Sequence, residues 1–562
     1  MPRTLAPSAQ LIAEGRSAAP ASLGTTAFLA EHRAASEVDY KRRMMADGAV
    51  MYHAHVGLST WEATEGLLHH VHGELAARGH RLDRFGVALD RAMGVPSAQR
   101  SATMKETGPR LDGSDWSRVG STVPIQPHLG DFMIGFPAGL ENTLAALRAG
   151  VTTIGNLGQY LAFDLVGGSD EIEVTETTVR ALAALAALRD QGALAHSNLD
   201  DGPGMQMTHY GAYAGWASLE LYVVETLIGA RLTHCYGNLI NSPVHRAVVH
   251  FALDDLRERR SVGSMMYGNT VGHIPFDRAR NTAVLAQQVM VDIALQLRRP
   301  TGHAVNPVPL SEAERIPNAE EIVEAHLLAR EIEVEVRNSA DLYDWDRLES
   351  LGRATAEYGR EFRDRALARL DRDGVDVTDA ASMLLAMRRI GAAEMERLVD
   401  LRPAGDVARL EPWKARRARE IAADLRAEMP RLDGVRVVLA VLEVHDLMRD
   451  ALAAALPGVG AEVVLLGAGT SPEGVIQAAV DEDADAVVVA VYNGNALDLG
   501  RLISTASRRA GFAGRLVFGG LLNQDLGDGL PVDARLPLTE LGIVCLDRAA
   551  DLGPLLADLA PV

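Results

Sequence analysis

The chain has 562 residues, enough for two or three domains, and nearly half of them are hydrophobic. Its formal charge of −20 argues against nucleic acid or an anionic membrane as a partner. No apolar run approaches the length of a membrane span, and the N-terminus lacks the apolar core of a signal peptide. The two cysteines, Cys235 and Cys545, lie far apart, which predicts a cytoplasmic protein without a disulfide framework.

Residues 1–47 are rich in alanine and predict an N-terminal helical arm. From residue 48, short strands, polar loops and amphipathic helices alternate at intervals of roughly thirty to fifty residues. The first strand is GAVMYHAHVG, and the helix TWEATEGLLHHVHGELAARG follows it, with Thr60 or Ser59 as its N-cap. This rhythm is typical of an α/β fold and predicts a TIM-type (β/α) barrel over residues 48–320.

Polar side chains follow the predicted barrel strands, which is where a barrel carries its active site. Their loops are unusually rich in histidine, asparagine, tyrosine and glycine. A lone histidine at such a position is usually structural, but the repetition at strand ends predicts a shared site. The set comprises His53, His55, His128, Asn156, His196, Asn198, His209, His234, Asn238, Tyr267, Asn269, His273 and Asn306.

From residue 321 the sequence changes to long and highly charged helical patterns such as AEEIVEAHLLAREIEVEV. Opposite charges at helical spacing predict faces exposed to solvent. We interpret residues 321–434 as a charged helical lobe that ends in a linker near LRPAGDVARLEPWKARRARE.

Residues 435–562 contain five short β-branched runs separated by helical patterns of ten to fifteen residues. This alternation predicts a parallel, doubly wound sheet with helices on both faces. Such sheets bind ligands at the carboxyl ends of their strands. The polar and glycine-containing segments at those ends are Glu443-Val444-His445-Asp446-Leu447-Met448, Ala490-Val491-Tyr492 with Asn493-Gly494-Asn495, and Gly519-Gly520.

This segment resembles the cobalamin-binding domain of B12-dependent mutases and of methionine synthase, above all the small subunit of glutamate mutase. That family has Asp-x-His-x-x-Gly after the first strand, Ser-x-Leu after a later strand, and then Gly-Gly. Here Glu443 replaces the aspartate, Met448 the glycine and Ala490 the serine, whereas His445 and the two glycines are kept. The resemblance implies a Rossmann-like (flavodoxin-like) domain.

The resemblance further implies that His445 binds the cobalt of cobalamin and that Glu443 orients its imidazole. Glycine in place of Met448 would let the nucleotide tail pass close to the backbone, and serine in place of Ala490 would hydrogen-bond it. The implied cofactor-binding residues are Glu443, His445, Asp446, Met448, Ala490, Tyr492, Gly494, Gly519 and Gly520.

Residues 50–310 resemble the large, barrel-forming subunit of glutamate mutase, on segments such as STVPIQPHLGD and ALAHSNLDDGPGMQMTHYGAYAGW. This implies an adenosylcobalamin-dependent radical isomerase, a carbon-skeleton mutase, acting on a small amino or carboxylic acid. Where the family has Lys-x-x-x-Glu this chain has His234 and Asn238, and so glutamate itself is not the expected substrate. We assign catalysis to His234, Asn238 and His128, and substrate binding to Tyr52, His53, His55, His196, Asn198 and His209. A homodimer is left open.

Two alternatives remain. His53-x-His55 on a strand points both imidazoles the same way, as in metal-dependent barrel hydrolases. The C-terminal domain could also have lost its cofactor and serve in assembly or regulation, which the changes at Met448 and Ala490 favour.

Overall fold

The structure is a computed structural model that describes residues 4–101, 103, 107–165, 169–200, 202–237, 239–258, 262–268, 277–339, 342–442, 446–467, 470–492, 494–526 and 531–559. The chain divides into two compact units. The first runs to Trp413, apart from residues 163–168, and the second begins at Lys414. In these ranges none of the helices combines the length and the hydropathy of a membrane span.

The described part of the first unit is built around eight short strands: β1 (His53–Val56), β2 (Arg84–Val87), β3 (Gln126–His128), β4 (Thr153–Ile154), β5 (Leu194–Asn198), β6 (Leu232–Cys235), β7 (Met265–Tyr267) and β8 (Ala304–Asn306). Parallel ladders join them into three sheets, β1-β2-β3, β4-β5-β6 and β7-β8. Single parallel bridges join Leu129 to Ile154, Tyr236 to Met266 and Tyr52 to Val305. The predicted α/β layout with parallel strands is therefore confirmed, whereas one closed barrel sheet is not shown.

Helices precede and follow these strands in the order that the sequence pattern predicts. They are α1 (Ser8–Ala18), α2 (Ala27–Glu31), α3 (Glu37–Ala46), α4 (Trp61–Ala77), α5 (Ser97–Arg100), α6 (Asp115–Val119), α7 (Gly139–Arg148), α8 (Leu157–Ala162), α9 (Glu171–Ala187), α10 (Tyr210–Leu221), α11 (Pro243–Arg257) and α12 (Arg278–Arg298). The side chain of Thr60 accepts a hydrogen bond from the Ala63 N–H at 3.1 Å, so the predicted N-cap of α4 is present.

Helix α3, which precedes β1, takes part in a fully buried ion cluster of the first unit. The Glu37 carboxylate accepts a hydrogen bond from Arg84 Nε, at 2.6 Å, and lies 2.9 Å from Lys41 Nζ. The hydroxyl of Thr152 donates to the same carboxylate at 2.6 Å. Burial alone would raise the pKa of Glu37, but the adjacent guanidinium and ammonium groups hold that pKa at about 2. Since Arg84 opens β2, α3 covers the amino-terminal end of that strand.

Four more helices of the first unit follow β8: α13 (Ala319–Asn338), α14 (Trp345–Arg372), α15 (Ala380–Ile390) and α16 (Ala392–Val399). Helix α14 lies against α10 and α11. The ring of Phe362 covers Gly215, where a Cβ atom would come within 2.4 Å of it, so the missing side chain permits this close packing. The charged stretch after residue 320 therefore packs within the first unit as far as Trp413.

The second unit contains α17 (Trp413–Glu428), β9 (Arg436–Val441), α18 (Leu447–Ala455), β10 (Glu462–Leu465), α19 (Pro472–Asp481), β11 (Ala486–Val491), α20 (Ala496–Ala510), β12 (Arg515–Gly520), β13 (Asn523–Gln524), β14 (Val532–Asp533), α21 (Arg535–Glu540), β15 (Ile543–Cys545) and α22 (Leu552–Ala557). Five of its strands form a parallel sheet in the order β10-β9-β11-β12-β15. One face packs against α17, α18 and α22, and the other against α19, α20 and α21. The predicted doubly wound domain is confirmed.

Candidate functional site

A cavity of about 170 Å³ lies at the carboxyl edge of the sheet in the second unit. Its walls are apolar: Leu439 and Val488 come from the sheet, Leu452 from α18, and Leu546 follows β15. A single water molecule needs only about 15 Å³ of such space, and close-packed interiors hold few larger voids. Open α/β sheets bind their ligands at this edge, so the gap is the candidate site of the second unit.

Motif positions that are far apart in the sequence meet at this cavity. Met448 reaches it from α18, while Ala490 and Gly519 are register partners at the ends of β11 and β12. Tyr492 and Gly520 also line it. A Cβ atom built on Gly519 would meet nothing closer than Leu546, at 3.8 Å, so this glycine leaves the cavity open. The structure thus brings together five of the residues that the sequence assigned to the cofactor.

Gly520 has a different reason to be glycine. Its φ of +109° disfavours any L side chain, and a Cβ atom would lie 2.2 Å from the Val491 carbonyl oxygen. This residue shapes the turn, whereas Gly519 leaves space for a ligand.

The remaining predicted cofactor residues lie elsewhere or outside the described ranges. Glu443 and His445, and with them the cobalt-binding prediction, fall outside the described residues. Gly494, with φ +73°, follows β11, and its carbonyl accepts a hydrogen bond from the Asp525 N–H. Asp446, immediately before α18, pairs with Lys414 at 2.6 Å and with Arg449 at 3.1 Å.

Lys414 is a residue that the sequence reasoning missed. It is only 6% exposed, and its ammonium lies 2.6 Å from Asp446 and 3.1 Å from Asp450. Together with Arg449 it fixes the first turn of α18, the turn that carries Met448 to the cavity wall. The stretch around Lys414 has the sequence pattern of a linker, and nothing in that pattern reveals partners more than thirty residues away.

A second group of polar residues lies among the strands of the first unit. The imidazole centroids of His53 and His128 are 6.0 Å apart, and those of His128 and His196 are 4.5 Å apart. His196 Nδ1 lies 3.1 Å from Ser264 Oγ. These four side chains come from β1, β3, β5 and the residue before β7. We call them the histidine layer; it is completely buried.

Glycines on the intervening strands make room for the histidine layer. A Cβ atom on Gly86, in β2, would lie 2.8 Å from His53 Nε2 and 2.7 Å from His55 Nδ1. A Cβ atom on Gly155, directly after β4, would lie 2.6 Å from His196 Cδ2. The imidazoles therefore occupy space that side chains of β2 and β4 would otherwise fill.

Several nitrogens of this group have no hydrogen-bond partner within the described part of the chain: both of His53, Nδ1 of His55 and Nε2 of His128. Burial lowers the pKa of His53, His128 and His196 well below its ordinary value, so these rings are neutral at pH 7. Buried polar atoms are almost always paired, so these unpaired nitrogens make the histidine layer a second candidate site. His55 is partly exposed and lies 3.7 Å from Asp131.

Other predicted residues do not join this layer. The Tyr52 hydroxyl donates to Glu333 of α13 at 2.6 Å, on the face opposite His53, since neighbouring strand residues alternate. His234 Nε2 lies 3.1 Å from Glu220 of α10. His234 is the register partner of Ser197, which puts it on the face opposite His196.

His209 and Asn198 have local roles in the structure. His209 is the N-cap of α10, and its Nδ1 accepts a hydrogen bond from the Ala212 N–H at 3.1 Å. Asn198 ends β5, and its N–H donates to the Asn156 side chain at 2.7 Å. Asn238, Asn269 and His273 lie outside the described residues.

A metal centre built on His53 and His55 finds no support in the geometry. In the described ranges no group of three or more His, Cys, Asp or Glu side chains is placed to hold a metal ion.

Comparisons with known proteins bear on the second unit. The family model of the B12 binding domain matches residues 435–526. No curated protein matches the chain. Among solved structures, the chain is similar to a novel cobalamin-binding protein from Desulfitobacterium hafniense DCB-2. Identity is 14%, the TM-score is 0.19, and the match covers 43% of this chain and 83% of that one, a likeness too low to argue from. On the family match, residues 435–526 form a B12-binding domain.

Proposed function

We propose that this protein is a cobalamin-dependent isomerase of the carbon-skeleton mutase type. Its cofactor would be adenosylcobalamin and its substrate a small amino or carboxylic acid other than glutamate. The observation that carries the proposal is the meeting of Met448, Ala490 and Gly519 at one cavity within the B12-binding domain. A domain that served only in assembly would have no need to keep an apolar gap at its strand ends.

The residues around the cavity fit a nucleotide tail. The tail would lie between Met448 on one side and Ala490 and Gly519 on the other, with exposed Asp547 and Arg548 at the mouth. The cavity persists although Met448 stands where the family has glycine. The flexible thioether can also adjust its rotamer to a ligand.

His445 would bind the cobalt, with Glu443 orienting its imidazole. Lys414 and Arg449 pair with Asp446, the residue that follows His445 in the sequence. Adenosylcobalamin, when bound, supplies a 5′-deoxyadenosyl radical by homolysis of its cobalt–carbon bond.

For the first unit we propose a closed (β/α)8 barrel. Two observations support it. First, the single parallel bridges join the three sheets in chain order, including the last strand to the first. Second, the histidine layer is drawn from β1, β3, β5 and the residue before β7, and alternate strands supply each interior layer of a barrel.

The substrate would bind at the histidine layer. Neutral imidazoles can both donate and accept hydrogen bonds, and His53 and His128 have nitrogens to spare. The buried cations Arg84 and Lys41 are paired with Glu37. This layer therefore offers hydrogen bonds more than charge, which suits a substrate less acidic than glutamate.

The absorption spectrum of the full chain with added cobalamin tests the cofactor assignment. Wild-type protein should convert cobalamin to the form in which histidine replaces the cofactor's own base. His445→Ala should abolish that change, and His69→Ala, an exposed histidine of α4, should not. If wild type leaves the spectrum unchanged at millimolar cobalamin, the proposal fails.

Turnover needs a separate measurement. Protein loaded with adenosylcobalamin would be incubated with a panel of amino and carboxylic acids and followed by proton NMR. We expect a rearranged isomer from at least one member of the panel, and no isomer with His445→Ala. If the protein binds cobalamin but isomerises no member of the panel, the assignment of the B12-binding domain holds and the mutase assignment is contradicted.

A further inference from the structure

Two imidazoles of the histidine layer, His128 and His196, border one small space beside Gly130. A Cβ atom built on this glycine would lie 3.0 Å from His128 Nε2 and 3.7 Å from His196 Nε2, and its three nearest described neighbours all belong to these two rings. The ring centroids are 4.5 Å apart. One small polar group placed in this space can therefore bond to both rings.

The partner of Nδ1 in His128 decides what its Nε2 offers. Nδ1 lies 2.9 Å from the Thr153 carbonyl oxygen, which is an acceptor, so Nδ1 carries the hydrogen. The ring is neutral because burial lowers its pKa well below the ordinary value. Nε2 of His128 therefore only accepts, and it has no hydrogen-bond partner within the described part of the chain.

His196 has the opposite arrangement. Its Nδ1 lies 3.1 Å from the hydroxyl oxygen of Ser264, and both residues are buried. Among the described residues this hydroxyl makes no other hydrogen bond, so it donates its hydrogen to Nδ1. Burial also keeps the His196 imidazole neutral by lowering its pKa, so its single hydrogen is on Nε2. Nε2 of His196 therefore donates.

An acceptor and a donor that border one space match a group that both donates and accepts. A hydroxyl does so with a single oxygen, which donates to His128 Nε2 and accepts from His196 Nε2. A carboxylate only accepts, so its oxygen would face the lone pair of His128. An ammonium group only donates, and the Arg84 guanidinium, which besides burial lowers the pKa of both rings, disfavours a second positive charge.

We propose that the space beside Gly130 binds a hydroxyl group of the substrate, and that the substrate is a small hydroxylated acid. This inference rests on the proposed function, because it takes the histidine layer as the substrate site. It goes further by naming the substrate class and the two residues that recognise its hydroxyl. A water molecule offers the same pair of hydrogen bonds, so the experiment must separate a ligand hydroxyl from a bound water.

The test compares acids that differ only in one hydroxyl group, by ligand-observed NMR titration of the full chain without cobalamin. The pairs are lactate with propionate, 3-hydroxybutyrate with butyrate, serine with alanine, and threonine with 2-aminobutyrate. We expect at least one hydroxylated acid to bind at least about tenfold more tightly than its partner, because the partner leaves buried nitrogens unpaired.

Three variants locate the preference. Gly130→Ala places a methyl group in the space and should abolish the preference; Gly130 lies outside the left-handed region, so alanine introduces no backbone strain there. Gly73→Ala, on α4, adds the same methyl group where a Cβ atom meets nothing within 4 Å, and should keep the preference. Ser264→Ala leaves the space open but no longer fixes the hydrogen of His196 on Nε2, so it should reduce the preference.

The outcomes separate this inference from the proposed function. Equal affinities within every pair, or binding of no member, would overturn the inference, since the space would then hold only water. A preference that survives in Gly130→Ala, or is undiminished in Ser264→Ala, would overturn it as well. These titrations contain no cobalamin, so their failure leaves the cobalamin assignment intact. A chain that distinguishes the pairs but leaves the cobalamin spectrum unchanged would contradict the proposed function and support the hydroxyl site.

Discussion

The two units of this protein are both built from parallel strands, yet their strands surround opposite kinds of interior. At the carboxyl edge of the second unit, Gly519 and Ala490 leave an apolar gap. Among the strands of the first unit, glycines such as Gly86 leave room that imidazoles then fill. Glycine on a strand thus has a different role in each unit. In the second unit it leaves space for a ligand, and in the first unit it leaves space for the protein's own polar groups.

This difference indicates how each unit would recognise what it binds. An apolar gap selects by shape and by the absence of polar edges, which suits the tail of a large cofactor. Buried imidazoles with unpaired nitrogens select by hydrogen bonds, which suits a small polar substrate. Burying polar groups is costly, and the first unit buries them both at His53 and in the Glu37 ion cluster.

The largest effect on stability is expected at the ion cluster beneath the strands of the first unit. Glu37→Gln removes the carboxylate that both Arg84 and Lys41 contact, and leaves the buried Arg84 guanidinium without this counter-ion. We expect a loss of about 3–5 kcal/mol in the free energy of unfolding, measured with urea. Glu361→Gln, which breaks an exposed pair with Arg365, should cost less than about 0.5 kcal/mol. Equal losses would contradict a special role for burial.

The difference in unfolding free energy between wild type and Glu37→Gln should become smaller in acid. The pKa of Glu37 is about 2 in the fold, against an ordinary value of 4.5. Its charge therefore stabilises the folded state above pH 4.5, and this contribution, about 3 kcal/mol, declines as the pH falls toward 2. The gap in unfolding free energy between wild type and Glu37→Gln should narrow over that range. A gap that stays constant between pH 5 and 3 would show that the carboxylate is not held ionised.

In the second unit, adjacent glycines should respond differently to alanine. Gly520→Ala forces a side chain onto a positive φ and against the Val491 carbonyl, so we expect a loss of about 1–3 kcal/mol in stability. Gly519→Ala should leave stability within about 0.5 kcal/mol, because its Cβ atom meets only van der Waals contact. It should nevertheless weaken cobalamin binding by about tenfold, since a methyl group then occupies the cavity. Thermal unfolding of both variants measures the change in stability, and titration with cobalamin measures the change in affinity. If Gly519→Ala binds cobalamin as tightly as wild type, this cavity is not the binding site.

A smaller effect is expected at His209, which the sequence placed among substrate residues and the structure shows as a helix cap. His209→Ala removes the acceptor for the Ala212 N–H and should cost about 1 kcal/mol. His209→Asn supplies another good N-cap and should recover most of that loss. Neither change should affect cobalamin binding; an altered cobalamin spectrum in His209→Ala would contradict a purely structural role.

The sequence predicted the parts of this molecule that depend on local pattern. Strand and helix alternation predicted the parallel strands of both units, and the pattern before α4 offered Thr60 or Ser59 as the cap, of which the structure shows Thr60. Motif order also predicted that Met448, Ala490 and Gly519 lie at strand ends, and in the structure all three line one cavity.

The sequence did not predict the directions of several side chains or their partners in distant segments. Tyr52 and His53 are neighbours along one strand, so their side chains point to opposite faces, and nearness to a strand end does not bring them to one site. The local sequence does not predict the pairing of Lys414 with Asp446, because Lys414 lies in an apparent linker and Asp446 lies beside a motif. The contact between His128 and His196 depends on the fold closing across an intervening strand, which composition cannot specify.

The last prediction concerns the histidine layer, and its expected effect on stability is close to zero. His53 is completely buried, neither ring nitrogen has a partner among the described residues, and burial keeps the ring neutral. His53→Leu therefore breaks no hydrogen bond to a described residue and removes two buried nitrogens, so the unfolding free energy should stay within about 1 kcal/mol of wild type or rise. His303 is the matched control, because it is equally buried but both its nitrogens are bonded, to Thr301 at 2.7 Å and to the His234 carbonyl at 3.0 Å.

His303→Leu should cost about 1–3 kcal/mol, since it leaves partners unsatisfied. If His53→Leu is as destabilising as His303→Leu, the nitrogens of His53 do have partners and the layer is part of the framework. If His53→Leu is harmless to the fold, the chain is keeping a polar group in its interior that folding does not require. A binding role then remains as the reason for it, and the same variant should abolish turnover of any substrate found in the NMR screen while leaving the cobalamin spectrum intact.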